Sequence, residues 1–190
     1  MEFCEGINLK KYIAESKSLI DENIVYNIVL EICLGIKEMH NNKILHRNLK
    51  PENIFIDKNN NIKIGNLGIS RQLINTKKYA SKNKGAINYM APEVIKGEKY
   101  NTKVVIWDFG CIIYELLTRE ICFEGKELSC IPKILSGKHG KKDINKYKPQ
   151  WQKLIDLLLQ IDFNERADIE WVYNFIINKL KEINDSKKNY

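Results

Sequence analysis

Ile44-Leu-His-Arg-Asn-Leu-Lys-Pro-Glu-Asn53 decides how this chain is read. Two apolar residues lead into eight positions rich in hydrogen-bonding and charged groups, and Ile54-Phe-Ile56 then resumes an apolar pattern. At the centre stands Asn48, whose neutral amide has no useful basicity, so it cannot take a proton as a carboxylate would. Upstream, Ile24, Ile28, Ile32, Ile36 and Met39 recur at four- and three-residue spacing, which predicts an amphipathic helix to about His40. Ser18 with Asp21 three residues on forms an approximate capping box for that helix. Downstream, Ile54-Phe-Ile56 and Ile62-Lys-Ile64 flank the polar run Asp57-Lys-Asn-Asn-Asn61, which predicts a hairpin.

The rest of the chain is mostly helical in pattern. Asn8 to Ala14 reads as a short helix, Thr102 to Thr118 as a longer one carrying Trp107, Ile113 and Leu117. A short helical segment lies around Leu128 to Leu135, followed by helices over Trp151–Ile161 and Ile169–Ile183. Residues 66 to 90 are lysine-rich with no period and read as a loop. No repeat or interdomain linker interrupts the chain. The expected fold class is mostly α with a small β element (α+β), in one domain over residues 1–183 with a polar tail over 184–190.

Composition narrows the function classes. The 190 residues are 44% hydrophobic and 29% charged, ordinary for a globular domain rather than a disordered chain. Apolar runs fall short of the roughly 18 residues of a membrane span, so no membrane role is expected. The net charge of +7 comes mostly from scattered lysines, which argues against nucleic acid as a partner. Cys4, Cys33, Cys111, Cys122 and Cys130 have no metal-ligand spacing and sit mostly in apolar runs, so they read as core thiols of a reducing, intracellular compartment, cytoplasmic or nuclear.

Six motifs in order resemble the C-terminal lobe of the eukaryotic protein kinases. Met1-Glu-Phe-Cys-Glu-Gly6 is similar to the hinge, His46–Asn53 to the catalytic loop, and Lys63-Ile-Gly-Asn-Leu-Gly68 to the segment where the family has Asp-Phe-Gly. Gly85-Ala-Ile-Asn-Tyr-Met-Ala-Pro-Glu93 resembles the end of the activation segment, Trp107 and Gly110 match the central helix, and Arg166 matches the arginine expected to pair with Glu93. Lys50, two residues beyond Asn48, favours the serine/threonine branch; the hinge, Ile54-Phe55 and the activation-segment length resemble the NIMA-related kinases.

The resemblance implies roles position by position. Glu2 and Cys4 would present hinge backbone groups to adenine, and Phe55 falls at the pocket floor, although with half the pocket lacking it reads as core. Asn53 and Asn66 fall at magnesium-ligand positions, so ATP and Mg²⁺ are the implied cofactors. Arg47 would bind a phosphate on the activation segment, with Ser70, Thr76, Tyr79 and Ser81 as acceptor candidates, or else be held by local carbonyls and acids.

The departures share a theme. The family's catalytic aspartate is Asn48, its metal-binding aspartate is Asn66, the phenylalanine beside that is Leu67, the threonine that hydrogen-bonds the catalytic aspartate is Ala86, and the buried aspartate of the central helix that supports the loop backbone is Val105. Loss of a general base alone costs roughly 10²- to 10⁴-fold. The glycine-rich loop, the phosphate-holding lysine and its glutamate partner are not in this sequence, and Met1 falls at the gatekeeper position. The sequence therefore predicts a hinge plus C-terminal lobe, from a shortened protein or from a piece of a longer one, with an exposed apolar surface where an upper lobe would sit. The expected function is a pseudokinase acting through protein partners; the rival is a fragment of a serine/threonine kinase that binds ATP and transfers phosphate when complete.

Overall fold

The computed structural model describes residues 6–66, 71–72, 87–125, 127–139, 144, 147 and 149–188. Glu2, Cys4, Leu67, Ser70, Thr76, Tyr79, Ser81 and Ala86 lie outside the described residues, as does most of the 66–90 stretch.

Strand β1 (Gly6–Asn8) leads into α1 (Leu9–Glu15), whose N-cap Asn8 accepts a 2.8 Å hydrogen bond from the Lys11 backbone N–H. Helix α2 (Glu22–Asn41) begins where the capping reading put its second residue rather than its first: Asp21 is the N-cap and accepts from Asn23 N–H, while the Ser18 hydroxyl turns to the Leu19 carbonyl. Ile28, Ile32, Ile36 and Met39 are buried as the spacing predicts, but Ile24 is 43% exposed. The buried face is centred instead on Val25, Val29, Ile32, Cys33 and Ile36, so Ile24 falls on its margin.

The predicted hairpin forms. Strands β3 (Ile54–Asp57) and β4 (Ile62–Ile64) pair antiparallel with Ile54 opposite Ile64 and Ile56 opposite Ile62. The turn is held by Asp57, whose carboxylate accepts from the backbone N–H groups of Asn59 and Asn61. No strand signal marks Gly6–Asn8, yet β1 pairs with β3 to make a three-stranded sheet in the order β1-β3-β4. A second ribbon joins β2 (Ile44–Leu45) to β5 (Arg71–Gln72), so the 66–90 stretch is not loop throughout.

Beyond the short α3 (Pro92–Ile95), α4 (Lys103–Thr118) forms the axis of the molecule, with every residue from Val104 to Thr118 buried. A helix apolar at most positions all round has to lie inside a core. Gly110 lets α6 (Gln150–Leu158) approach closely: a Cβ there would come within 2.8–2.9 Å of Leu159 and Leu158. Helix α5 (Ile131–Leu135) follows a 3₁₀ turn over Glu127–Cys130, and α7 (Ile169–Lys188) packs along α2. Helix α7 continues through Asn184, where the sequence predicts a tail, as far as Lys188. Cys33, Cys111, Cys122 and Cys130 are buried free thiols, as expected; Cys4 lies outside the described residues.

The exposed large apolar side chains among the described residues are Leu19, Ile24, Leu34, Leu128 and Trp171. None of these comes from the hairpin or the 44–53 loop. Among the described residues no helix is long and apolar enough to cross a membrane.

Candidate active site

The loop after β2 is shaped by one backbone excursion and three hydrogen bonds. Arg47 takes φ +62°, a left-handed conformation that costs a long side chain about 1–3 kcal/mol and persists only where its surroundings enforce it. His46, fully buried, provides part of that enforcement. Its Nε2 lies 2.9 Å from the Gly65 carbonyl and its Nδ1 is 3.3 Å from the Asn48 backbone N–H. A carbonyl can only accept and an N–H can only donate, so His46 is the neutral tautomer with its proton on Nε2. Burial holds its pKa below the ordinary histidine value, which agrees with that assignment. Gly65 is glycine for a steric reason: a Cβ would stand 2.8 Å from the Phe55 ring.

Asn53 fixes the next link. It follows Lys50 and Pro51 in a 3₁₀ turn, is 6% exposed, and donates through Nδ2 to the Asn48 backbone carbonyl at 2.7 Å. That bond leaves Oδ1 facing Asn66, which donates its own Nδ2 to it at 3.2 Å. The orientations of both amides follow from one acceptor-only carbonyl at the start of the chain of bonds. Asn66 also takes φ +61°, a conformation asparagine tolerates better than most residues. The Asn48 side-chain oxygen, in contrast, is buried without a hydrogen-bond partner among the described residues.

This geometry bears directly on metal binding. The two residues at metal-ligand positions are neutral amides bonded to each other, with the Asn53 oxygen already accepting. Magnesium needs near-octahedral oxygen donors and usually a carboxylate. Among the described residues no group of three or more His, Cys, Asp or Glu side chains could hold a metal. The residues present do not fit a magnesium ion in this arrangement.

The other predicted residues fall as follows. Lys50 is half-buried, two positions from Asn48. Phe55 does not join the core: strand alternation buries Ile54 and Ile56 on one face and leaves Phe55 half-buried on the other, against Gly65. Arg47 lines a cavity of about 20 Å³ with Tyr100 and Asp108. Glu93 and Arg166 make the expected pair, with Nη1 to Oε1 at 2.6 Å and Nη2 to Oε2 at 2.7 Å. Arg166 also donates to the Gln160, Ile161 and Lys103 carbonyls, and its guanidinium lies 5.0 Å from the Trp107 ring centroid.

Two acids escaped the sequence reading. Asp108 and Glu115 lie inside the wholly buried stretch of α4. Glu115 accepts from Lys10 and, at 2.6 Å, from the Tyr89 hydroxyl, tying α1 and the 87–89 turn to α4. An acid inside an otherwise apolar helix was the available signal, because such a group is rarely buried without a partner.

Comparison with known proteins agrees with this fold. The model of the protein kinase domain matches residues 1–175. The chain is 35% identical to the probable serine/threonine-protein kinase nek2 of Dictyostelium discoideum over 191 residues, 96% of this chain and 45% of that protein. It is 39% identical to mouse serine/threonine-protein kinase Nek1 over 72% of this chain and 12% of that protein, and 34% identical to human Nek5 over 89% and 24%. The chain thus spans less than half the length of these relatives.

Proposed function

Since the chain belongs to the protein kinase family, and within it resembles the NIMA-related serine/threonine kinases, we propose that it is a kinase-fold module that binds proteins and does not transfer phosphate. Kinases of this family work with ATP and Mg²⁺ in general. The observation that carries the proposal for this chain is the hydrogen-bonded Asn66–Asn53 amide pair beside Asn48. Phosphoryl transfer depends on positioned charge: a metal to bridge the phosphates and a carboxylate to orient and deprotonate the hydroxyl. Here both positions carry amides, and the oxygen that would meet the metal accepts a hydrogen bond from its neighbour.

The chain's own residues then hold a shape rather than drive a reaction. Lys50 keeps a cation at the loop, and the Glu93–Arg166 pair anchors the segment that in relatives lies beside a protein substrate. ATP affinity is expected to be no better than roughly millimolar, about −4 kcal/mol. The partners would be cytoplasmic or nuclear proteins.

A second reading is supported by the chain's span of less than half of its relatives: a portion of a serine/threonine kinase that binds ATP and transfers phosphate when complete. Transfer of labelled phosphate from magnesium-ATP to a generic protein substrate tests the first reading. No turnover is expected from the parent or from Asn48→Asp. Turnover by the parent that vanishes on Lys50→Ala overturns the proposal.

A further inference from the structure

We propose that the small cavity beside Arg47 binds one ordered water molecule, held by the Tyr100 hydroxyl and shared with Arg47 and Asp108. These three residues line the cavity together with apolar side chains, Val94 and Val104 among them. Its volume is about 20 Å³, and a water needs roughly 10–15 Å³ of such space, so there is room for about one molecule. A phosphate, with four oxygens around its phosphorus, is too large for it. The polar atom that calls for a ligand is the Tyr100 hydroxyl, which is buried without a hydrogen-bond partner among the described residues. Burial takes water's hydrogen bonds from a phenol, so a buried one ordinarily has a replacement partner.

The mixed chemistry of the wall selects water over an ion. A guanidinium only donates, a carboxylate only accepts, and a phenol hydroxyl does both. Water donates and accepts, so it can answer all three. An anion such as chloride would suit Arg47 and Tyr100 but meet the Asp108 carboxyl, and a cation would suit Asp108 but meet the Arg47 charge. Asp108 is 7% exposed, so the water lies away from bulk solvent on that side. Arg47 belongs to the 46–50 loop, Tyr100 to the segment between α3 and α4, and Asp108 to α4. One bridging water links these three segments nearly as well as a direct hydrogen bond would. It is expected whether or not the chain transfers phosphate.

A crystal structure of the whole chain, at a resolution that shows ordered solvent, tests the site. One isolated peak is expected in the cavity, about 2.5–3.2 Å from Tyr100 Oη and from a polar atom of Arg47 or Asp108. Crystals soaked in bromide separate water from an anion, and the peak should carry no bromide anomalous signal. In Tyr100→Phe the water loses a partner, and its refined occupancy should fall below about half of the parent value. If that variant does not crystallise, oxygen-17 relaxation dispersion in solution should count one long-lived water fewer than in the parent. An empty cavity between well-ordered side chains overturns the proposal, as does a direct hydrogen bond from Tyr100 to Asp108. So does a bromide peak, or a water undiminished in Tyr100→Phe.

Discussion

Arg166 and Asn53 are both buried polar residues, and they are satisfied by opposite means. Arg166 meets a carboxylate two-to-two, then three backbone carbonyls and the face of Trp107. Asn53 sits in a run of neutral amides that begins at the Asn48 carbonyl and ends at Asn66. Negative charge is therefore present where it locks one part of the scaffold to another, and replaced by amide where it would hold a metal or take a proton. The same contrast separates Glu115, ion-paired with Lys10, from Asn48, whose oxygen has no partner among the described residues. Glu93, Arg166 and Glu115 thus hold the scaffold through charge, while Asn48, Asn53 and Asn66 carry none.

Breaking the scaffold side should have the largest effect. Arg166→Ala leaves the Glu93 carboxylate, 3% exposed, without its counter-charge and should lower stability by roughly 3–5 kcal/mol in urea denaturation. A loss below about 1 kcal/mol would mean that the buried pair is no stronger than a surface one. Next in size is Gly110→Ala, whose added carbon meets Leu158 and Leu159 at under 3 Å. Overpacking of this kind costs about 1–3 kcal/mol, and an unchanged melting midpoint would show that α4 and α6 can separate freely.

Much of this scaffold was legible from sequence because its signals are local and periodic: isoleucines every three or four residues for α2, apolar pairs around a polar turn for the hairpin, and Glu93 with Arg166 through family resemblance. What was not legible depended on distant partners. Gly6–Asn8 becomes a strand only because β3 offers it an edge. Phe55 leaves the core because strand alternation gives the inward positions to Ile54 and Ile56. The identities at Asn48 and Asn66 announced a loss of charge, but not that Asn66 would donate to Asn53. Glu115 has no periodic signal of its own, because its meaning depends on Lys10, 105 positions earlier in the chain.

A conditional effect of smaller reach concerns pH. Burial depresses the His46 pKa, so the folded protein holds this ring neutral while the unfolded chain takes up a proton below about pH 6.5. The unfolded state then binds more protons, and stability falls as pH drops below that value. Protonation would also turn Nδ1 from acceptor to donor against the Asn48 N–H. His40 is depressed by burial as well and adds to the slope, whereas Asp108, raised, acts in the opposite sense above its unfolded value of about 3.8. Comparing His46→Gln with the parent between pH 5 and 7.5 cancels both, and the variant should show the shallower loss. Parallel curves would place the proton elsewhere.

The finest test acts on the amide run itself. In Asn66→Asp a carboxylate faces the Asn53 oxygen across the 3.2 Å now bridged by an N–H, so an acceptor meets an acceptor. Losing that bond should cost about 0.5–1.5 kcal/mol in the absence of divalent cations. Two oxygens, one of them charged, are then free to meet magnesium, and millimolar Mg²⁺ should raise the variant's melting midpoint above its value in chelator. The parent, whose Asn53 oxygen is engaged and whose pair carries no charge, should show no difference between magnesium and chelator. A magnesium-dependent rise in the parent would mean that the amides part to admit the ion, and the contrast between a charged scaffold and a neutral site would no longer describe what this loop can do.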